Sequence, residues 1–189
     1  MQRAVFLDRD GTISEESGYI NHIDRFHVYP CAAGAIKKLN DAGWLAILAT
    51  NQSGIARGYF PESLMHQVHD NLRRQLASAG AHLDAIYYCP HLAGGAIPEY
   101  SKPCECRKPK AGMLLKAAED FQLDLLSCFV VGDRFVDIAT AHNAGARGVL
   151  VLSGYGKGEY QYMSHSWPRQ PVYIAQDLSF AVDWILQNT

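Results

Sequence analysis

The sequence lacks any apolar run approaching the roughly 20 residues that a membrane-spanning helix needs. Its N-terminal stretch MQRAVFLDRDG reaches an acidic turn after only four apolar residues, too few for the core of an export signal. A soluble, cytoplasmic protein with no membrane partner is therefore expected. An excess of either charge is also missing: 17 Lys and Arg stand against 19 Asp and Glu, a net charge of -2. That balance leaves no overall electrostatic footprint for nucleic acid, so any positive charge that matters must be local. Repeats and low-complexity tracts are absent too. What remains, 48% hydrophobic and 19% charged, is the mix of one ordinary globular domain spanning 1–189, which excludes a disordered or fibrous chain.

Apolar runs of strand length alternate with segments of helical period. The strand candidates are 4–7, 45–49, 85–88, 128–131 and 149–152, all reading as buried strands. Helix candidates fall at 32–42, 61–79, 110–121, 135–144 and 178–187. Such alternation predicts an α/β fold with a doubly wound parallel sheet covered on both faces. The stretch 153–171, rich in Gly, Tyr and Ser, reads as a long surface loop. His66 and His69 read as surface residues, while Trp44 and Trp184 read as core.

The polar clusters all follow strands: DRDGT at 8–12, TNQSG at 50–54, a Cys/His segment from 89, and GDRFVD at 132–137. In an open parallel sheet, sites form at the carboxyl ends of strands, so four segments point to one site. Asp8 and Asp10 lie two residues apart across a turn. Unpaired, they would repel each other, so a cation is nearly required, and oxygen ligands favour Mg2+. Asp133 offers a third carboxylate from a neighbouring strand. Asp137 reads as a supporting or helix N-terminal residue. By itself, a D-x-D after a strand is more often a capped turn; the other strand-end motifs reverse that reading.

Five Cys is an odd count, and Cys89, His91, Cys104 and Cys106 form C-x-H-x12-C-x-C. Three thiolates and an imidazole make a closed tetrahedral shell for a structural Zn2+, with no open position for chemistry. The alternative is a set of inert, buried thiols. Cys31 and Cys128 are left over as plain thiols.

Through Asp8-Arg9-Asp10-Gly11-Thr12, Thr50, Lys108 and Gly132-Asp133, in that order, the chain resembles the haloacid dehalogenase superfamily of phosphohydrolases. The resemblance implies that Asp8 is a nucleophile forming an aspartyl-phosphate and that Asp10 is the general acid and base. It also implies that Thr50 and Lys108 stabilise the transferring phosphoryl group. Mg2+ would be held by Asp8, Asp133 and the backbone carbonyl of Asp10. The spacing leaves no room for an inserted cap domain, so specificity should come from the loops at the strand ends.

The zinc loop, 89–107, narrows the resemblance. With FLDRDGTI, SGYI, TNQSGIARGYF, YYCPH, CECRKPKAGML and VVGDR, the chain is similar to the capless family of heptose-bisphosphate and histidinol-phosphate phosphatases. That likeness implies hydrolysis of the C7 phosphate of a heptose bisphosphate, a step toward nucleotide-activated heptose for lipopolysaccharide or surface glycan. The alternatives are a histidinol-phosphate phosphatase or a silent phosphate-binding protein. Substrate contacts would come from Arg9, Glu16, Ser17, Gly18, Tyr19, Asn51, Gln52, Ser53, Arg107 and Arg134. The expected partner is a small sugar phosphate and the expected state a monomer.

Overall fold

The computed structural model describes residues 2–189. Six strands form one parallel sheet: β1 (Ala4–Leu7), β2 (Leu45–Asn51), β3 (Ala85–Cys89), β4 (Phe129–Gly132), β5 (Arg147–Val151) and β6 (Tyr173–Ala175). Their order is β3-β2-β1-β4-β5-β6. Strand side chains point alternately to the two faces, and the apolar runs supply both sets. Val5, Leu7, Ala46, Leu48, Val131 and Val149 pack on α1 (Ala32–Asp41), α2 (Glu62–Ser78) and α6 (Leu178–Gln187). Ala4, Phe6, Ile47, Ala49 and Val130 pack on α3 (Gly112–Phe121) and α4 (Phe135–Ala144). Burial on both sides is why these strands read as continuous apolar runs.

The chain order runs outward from β1 in both directions, to β2 and β3 on one side and to β4, β5 and β6 on the other. The strand order therefore reverses at β1, and the loops there diverge to leave a crevice. Between β1 and β2 lie a turn of 3-10 helix (Ile23–Arg25) and α1, and between β2 and β3 lies α2. Neither connection holds a cap domain.

Three sequence expectations need correction. The stretch 153–171 contains helix α5 (Gly156–Met163) and a turn of 3-10 helix (Ser164–Ser166). GKGEYQYM has no apolar stripe and carries two glycines in its first turn, so tertiary contacts rather than propensity hold α5. The strand β6 adds to the five expected; at three residues it is too short to show a pattern in the sequence. His69 is buried, 3% exposed, because it shares the apolar face of α2 with Met65 and Leu72. Its neighbour His66 is exposed and Trp44 is core, while Trp184 is half-buried against Phe129 and Tyr173.

Candidate active site

The crevice is a cavity of about 430 Å³ at the strand ends. It is lined by Asp8 and Asp10 after β1, Thr50 to Gly54 at the end of β2 and just beyond it, Arg107 and Lys108 from the Cys/His loop, and Arg134 and Asp137 at the start of α4. Glu16, Gly18, Tyr19 and Tyr155 complete the wall. Of the catalytic, substrate and Mg2+ residues singled out in the sequence, Arg9, Ser17 and Asp133 do not line it. Asp133 lies beneath the floor, fully buried. Ser17 offers its carbonyl to Arg25 at 2.7 Å.

Two glycines permit the close packing of the floor. A Cβ on Gly11, whose φ is +84°, would lie 2.1 Å from Asp133 Oδ2, and one on Gly132 would lie 2.3 Å from the Asp137 carboxylate. Only a residue without a side chain fits either position.

Lys108 Nζ, on a side chain 3% exposed, donates to Asp8 Oδ1 at 2.7 Å, Asp137 Oδ1 at 2.5 Å and the Ala49 carbonyl at 2.9 Å. Burial alone would lower its pKa, but Asp137 and Asp8 hold it protonated above its ordinary value. Asn51 braces the lysine backbone: its Oδ1 accepts from Lys108 N at 3.0 Å and its Nδ2 donates to Lys108 O at 3.2 Å. Thr50 Oγ1 accepts from Gln52 Nε2 at 2.9 Å, which leaves the threonine hydroxyl free to donate into the cavity.

Arg9 is 1% exposed and faces away from the crevice into a buried network. Its guanidinium grips Asp10 with two bonds, Nε to Oδ1 at 3.0 Å and Nη2 to Oδ2 at 2.8 Å. Nη2 also donates to Gln52 Oε1 at 3.0 Å, and Nη1 to His69 Nε2 at 3.2 Å. The expected substrate contact is thus a fork that fixes the orientation of Asp10, with Gln52 bonded to both. His69 was not identified as functional, yet its place among Met65, Val68 and Leu72 at helical spacing marks it as buried and in need of a partner.

Asp8, Asp133 and Asp137 bring carboxylate oxygens within 4.8 Å of one another, and Asp133 Oδ1 is buried with no protein partner. Burial pushes Asp8 up to about 7 and Asp133 up to about 8, in each case with neighbouring carboxylates adding to the rise. The Lys108 ammonium pairs with Asp8 and Asp137 and leaves Asp133 without a cation, so the cluster fits a hard divalent cation such as Mg2+.

The second cluster gathers around His91. Cys106 Sγ and Cys89 Sγ lie 3.4 and 3.8 Å from His91 Nδ1, and Cys89 Sγ lies 3.5 Å from Cys104 Sγ. A tetrahedral shell with about 2.3 Å metal–sulfur bonds sets its sulfurs about 3.8 Å apart, so the group fits Zn2+. Burial raises the Cys89 thiol, an arrangement that favours the thiolate only when a cation is bound. The loop reaches the crevice through Arg107, whose Nη1 donates to the His91 carbonyl at 3.3 Å. Its far end is tied to α2 by Tyr100, which with Tyr88 of β3 donates to Glu62 at 2.9 Å.

Comparison with known proteins agrees with this architecture. A family model described as HAD-hydrolase-like matches residues 105–181. The D-glycero-D-manno-heptose-1,7-bisphosphate 7-phosphatase of Thermosynechococcus vestitus is 47% identical over 190 residues, covering 96% of this chain and 94% of its own. The D-glycero-beta-D-manno-heptose-1,7-bisphosphate 7-phosphatase of Escherichia coli K12 is 41% identical, with 98% and 88% covered. Among solved structures, the D,D-heptose 1,7-bisphosphate phosphatase of B. bronchiseptica, complexed with magnesium and phosphate, superposes with a TM-score of 0.86 at 33% identity and covers both chains in full. This chain belongs to the heptose-1,7-bisphosphate 7-phosphatase family of HAD-like hydrolases.

Proposed function

We propose that this protein is a phosphoric monoester hydrolase that removes the C7 phosphate of D-glycero-D-manno-heptose 1,7-bisphosphate through an aspartyl-phosphate, on the path to nucleotide-activated heptose. One observation carries the reading: a single cavity unites Asp8, Asp10, Thr50 and Lys108 with two guanidinium groups, Arg107 and Arg134. The first set suits a phosphoryl group in transfer. The two arginines suit a second, non-reacting phosphate, because each offers a fork of donors to an anion.

In the first step an Asp8 carboxylate oxygen bonds to phosphorus as the bond from phosphorus to the sugar oxygen breaks, and Asp10 gives that oxygen its proton. In the second, Asp10 takes a proton from water, whose oxygen bonds to phosphorus while the bond to Asp8 breaks, releasing inorganic phosphate. Lys108 and the Thr50 hydroxyl hold the charge that spreads over the phosphoryl oxygens. Arg9 keeps Asp10 aimed for both proton transfers. Asp8, Asp133 and the Asp10 carbonyl would hold Mg2+, with Asp137 alongside, and the ion supplies neutralisation of the phosphoryl charge. Cys89, His91, Cys104 and Cys106 would hold Zn2+ in a structural role, ordering the loop that presents Arg107 and Lys108. The reading is completed by a monomer acting in the cytoplasm on a small sugar phosphate; no helix among the described residues is long and apolar enough to cross a membrane.

The test is kcat/KM for the heptose bisphosphate, histidinol phosphate and p-nitrophenyl phosphate. The cationic amine of histidinol phosphate is repelled by Arg107 and Arg134, so the bisphosphate should lead by about a hundredfold, near 2.7 kcal/mol of differential transition-state binding. A preference for histidinol phosphate would overturn the substrate; no turnover of any ester would leave a binding protein.

A further inference from the structure

Helix α5, in the stretch that reads as a loop, is fastened to the catalytic end of the sheet. A Cβ on Gly156 would lie 1.8 Å from the Val151 carbonyl and 3.2 Å from that of Asp133, so the helix begins hard against β5 and the β4 end. Tyr155 N donates to Asp133 Oδ2 at 2.8 Å, and Ser153 Oγ to the Gly11 carbonyl at 2.6 Å. Four residues after Tyr155, one helical turn on, comes Glu159. Its side chain is 13% exposed, and both its oxygens are engaged. Oε1 accepts from Arg134 Nε at 3.0 Å and Oε2 from Phe135 N at 2.6 Å. Tyr155 lies under the same guanidinium, 5.0 Å from ring centroid to Cζ.

Arg134 is therefore held at its Nε and on one face. Its terminal amino groups donate to no protein acceptor among the described residues, and the residue lines the cavity. We propose that Glu159 is a positioning residue for substrate specificity: with Tyr155, it presents the free edge of Arg134 to an anionic group of the substrate remote from the phosphate under attack. An exposed ion pair contributes little, but Glu159 is mostly covered and also binds the first turn of α4, so the arginine is ordered before substrate arrives. Glu159 subtracts some positive charge from the rim and in exchange fixes the donors, which favours discrimination over bulk attraction. The inference rests on the heptose bisphosphate reading, because it requires a second anion in the substrate.

The experiment uses the Mg2+-loaded full chain, with Glu159→Gln, Arg134→Ala and the double variant assayed on the heptose bisphosphate and on p-nitrophenyl phosphate. Glutamine retains an acceptor for Phe135 N while losing the negative charge that faces Arg134. Glu159→Gln should raise KM for the bisphosphate about tenfold with kcat within about threefold of wild type. Its loss in kcat/KM should exceed the loss on p-nitrophenyl phosphate at least fivefold, and adding it to Arg134→Ala should cost less than twofold more. Equal losses on both substrates, or full additivity with Arg134→Ala, would overturn the proposal. Should Glu159→Gln melt far below wild type, Arg134→Lys decides. It keeps the charge but loses the Nε donor, so it should show the same rise in KM, and a wild-type KM would refute the role. If the wild type instead prefers histidinol phosphate, which has no second anion, the substrate reading fails and the proposal falls with it; a proven preference for the bisphosphate with equal losses or full additivity overturns the positioning role alone.

Discussion

Asp137 Oδ1 and Lys108 Nζ meet at 2.5 Å in a pair closed to solvent, and the same ammonium lies 2.7 Å from Asp8 Oδ1. Asp137 thus does more than cap α4, although its Oδ2 does accept from Arg134 N at 3.2 Å. Its charge holds Lys108 protonated and in place beside the nucleophile, and it adds to the negative cluster below the cavity.

Asp137→Asn keeps an acceptor for Lys108 but removes a charge from the cluster. The Mg2+ concentration giving half-maximal activity should rise roughly ten- to a hundredfold, the usual cost of losing a group that supports a metal site. Mg2+ titrations of initial rate check this. An unchanged titration with a lowered kcat would mean that Asp137 acts through Lys108 alone.

The nucleophile and the buried Asp133 also set how the metal-free protein responds to pH. Their ordinary value is 3.8, whereas in the fold Asp8 stands at about 7 and Asp133 at about 8. The unfolded chain gives up these protons near pH 4 and the folded chain only near 7 to 8. Stability is therefore full at low pH and is lost as pH rises through the folded values. Between pH 6.5 and 8.5 the metal-free protein should lose about 5 °C in melting temperature, and Mg2+ should raise the melting temperature more at 8.5 than at 6.5. An equal Mg2+ effect at both values would remove the carboxylate cluster as the cation site. Asp8→Asn should fold, show a flatter pH response and lack turnover; activity within tenfold of wild type would rule out Asp8 as nucleophile.

How far these features could be read in advance depended on whether their signal is local. The five longer strands are visible because buried parallel strands are unbroken apolar runs, such as Leu45–Ala49 within β2. The grouping of Asp8, Thr50 and Asp133 follows from strand-end placement, which needs only the order of elements, whereas Lys108, far along the loop after β3, is reached only through the family resemblance. Helix α5 and strand β6 escape notice because their stability comes from contacts to other parts of the chain, such as Gly156 on the Val151 carbonyl. Arg9 shows the same limit: the family resemblance implies a substrate contact, yet its partners Gln52 and His69 come from β2's loop and α2 and draw it inward.

Zinc removal tests the loop. Cys104→Ser should lower zinc content, expose residues 89–108 to proteolysis and reduce activity by releasing Arg107 and Lys108, since metal binding supplies the ordering that a loop of this composition cannot. Metal analysis of the purified protein beside limited proteolysis checks it. An active protein free of zinc, or a loop still protected after chelation, would refute the structural role.

His69 gives the protein a second pH response of opposite sign. Burial, with Arg9 next in effect, pushes it from 6.5 down to about 3, so it remains a neutral acceptor for Arg9 at any working pH. The unfolded chain protonates this histidine near 6.5 and the folded chain does not, so stability is lost as pH falls below 6.5. Glutamine at this position can still accept from Arg9 yet cannot titrate. Wild type should therefore lose about 1 kcal/mol more than His69→Gln between pH 6 and pH 5, read from urea unfolding at the two values. His69→Ala removes the acceptor and leaves a buried guanidinium nitrogen unpaired, at a cost of about 1–3 kcal/mol, and frees the fork that holds Asp10. It should lower kcat as well as stability, because a loosened Asp10 meets the leaving oxygen less often in line. If His69→Ala loses stability while kcat is kept, the network behind Asp10 supports the fold and not the proton transfers.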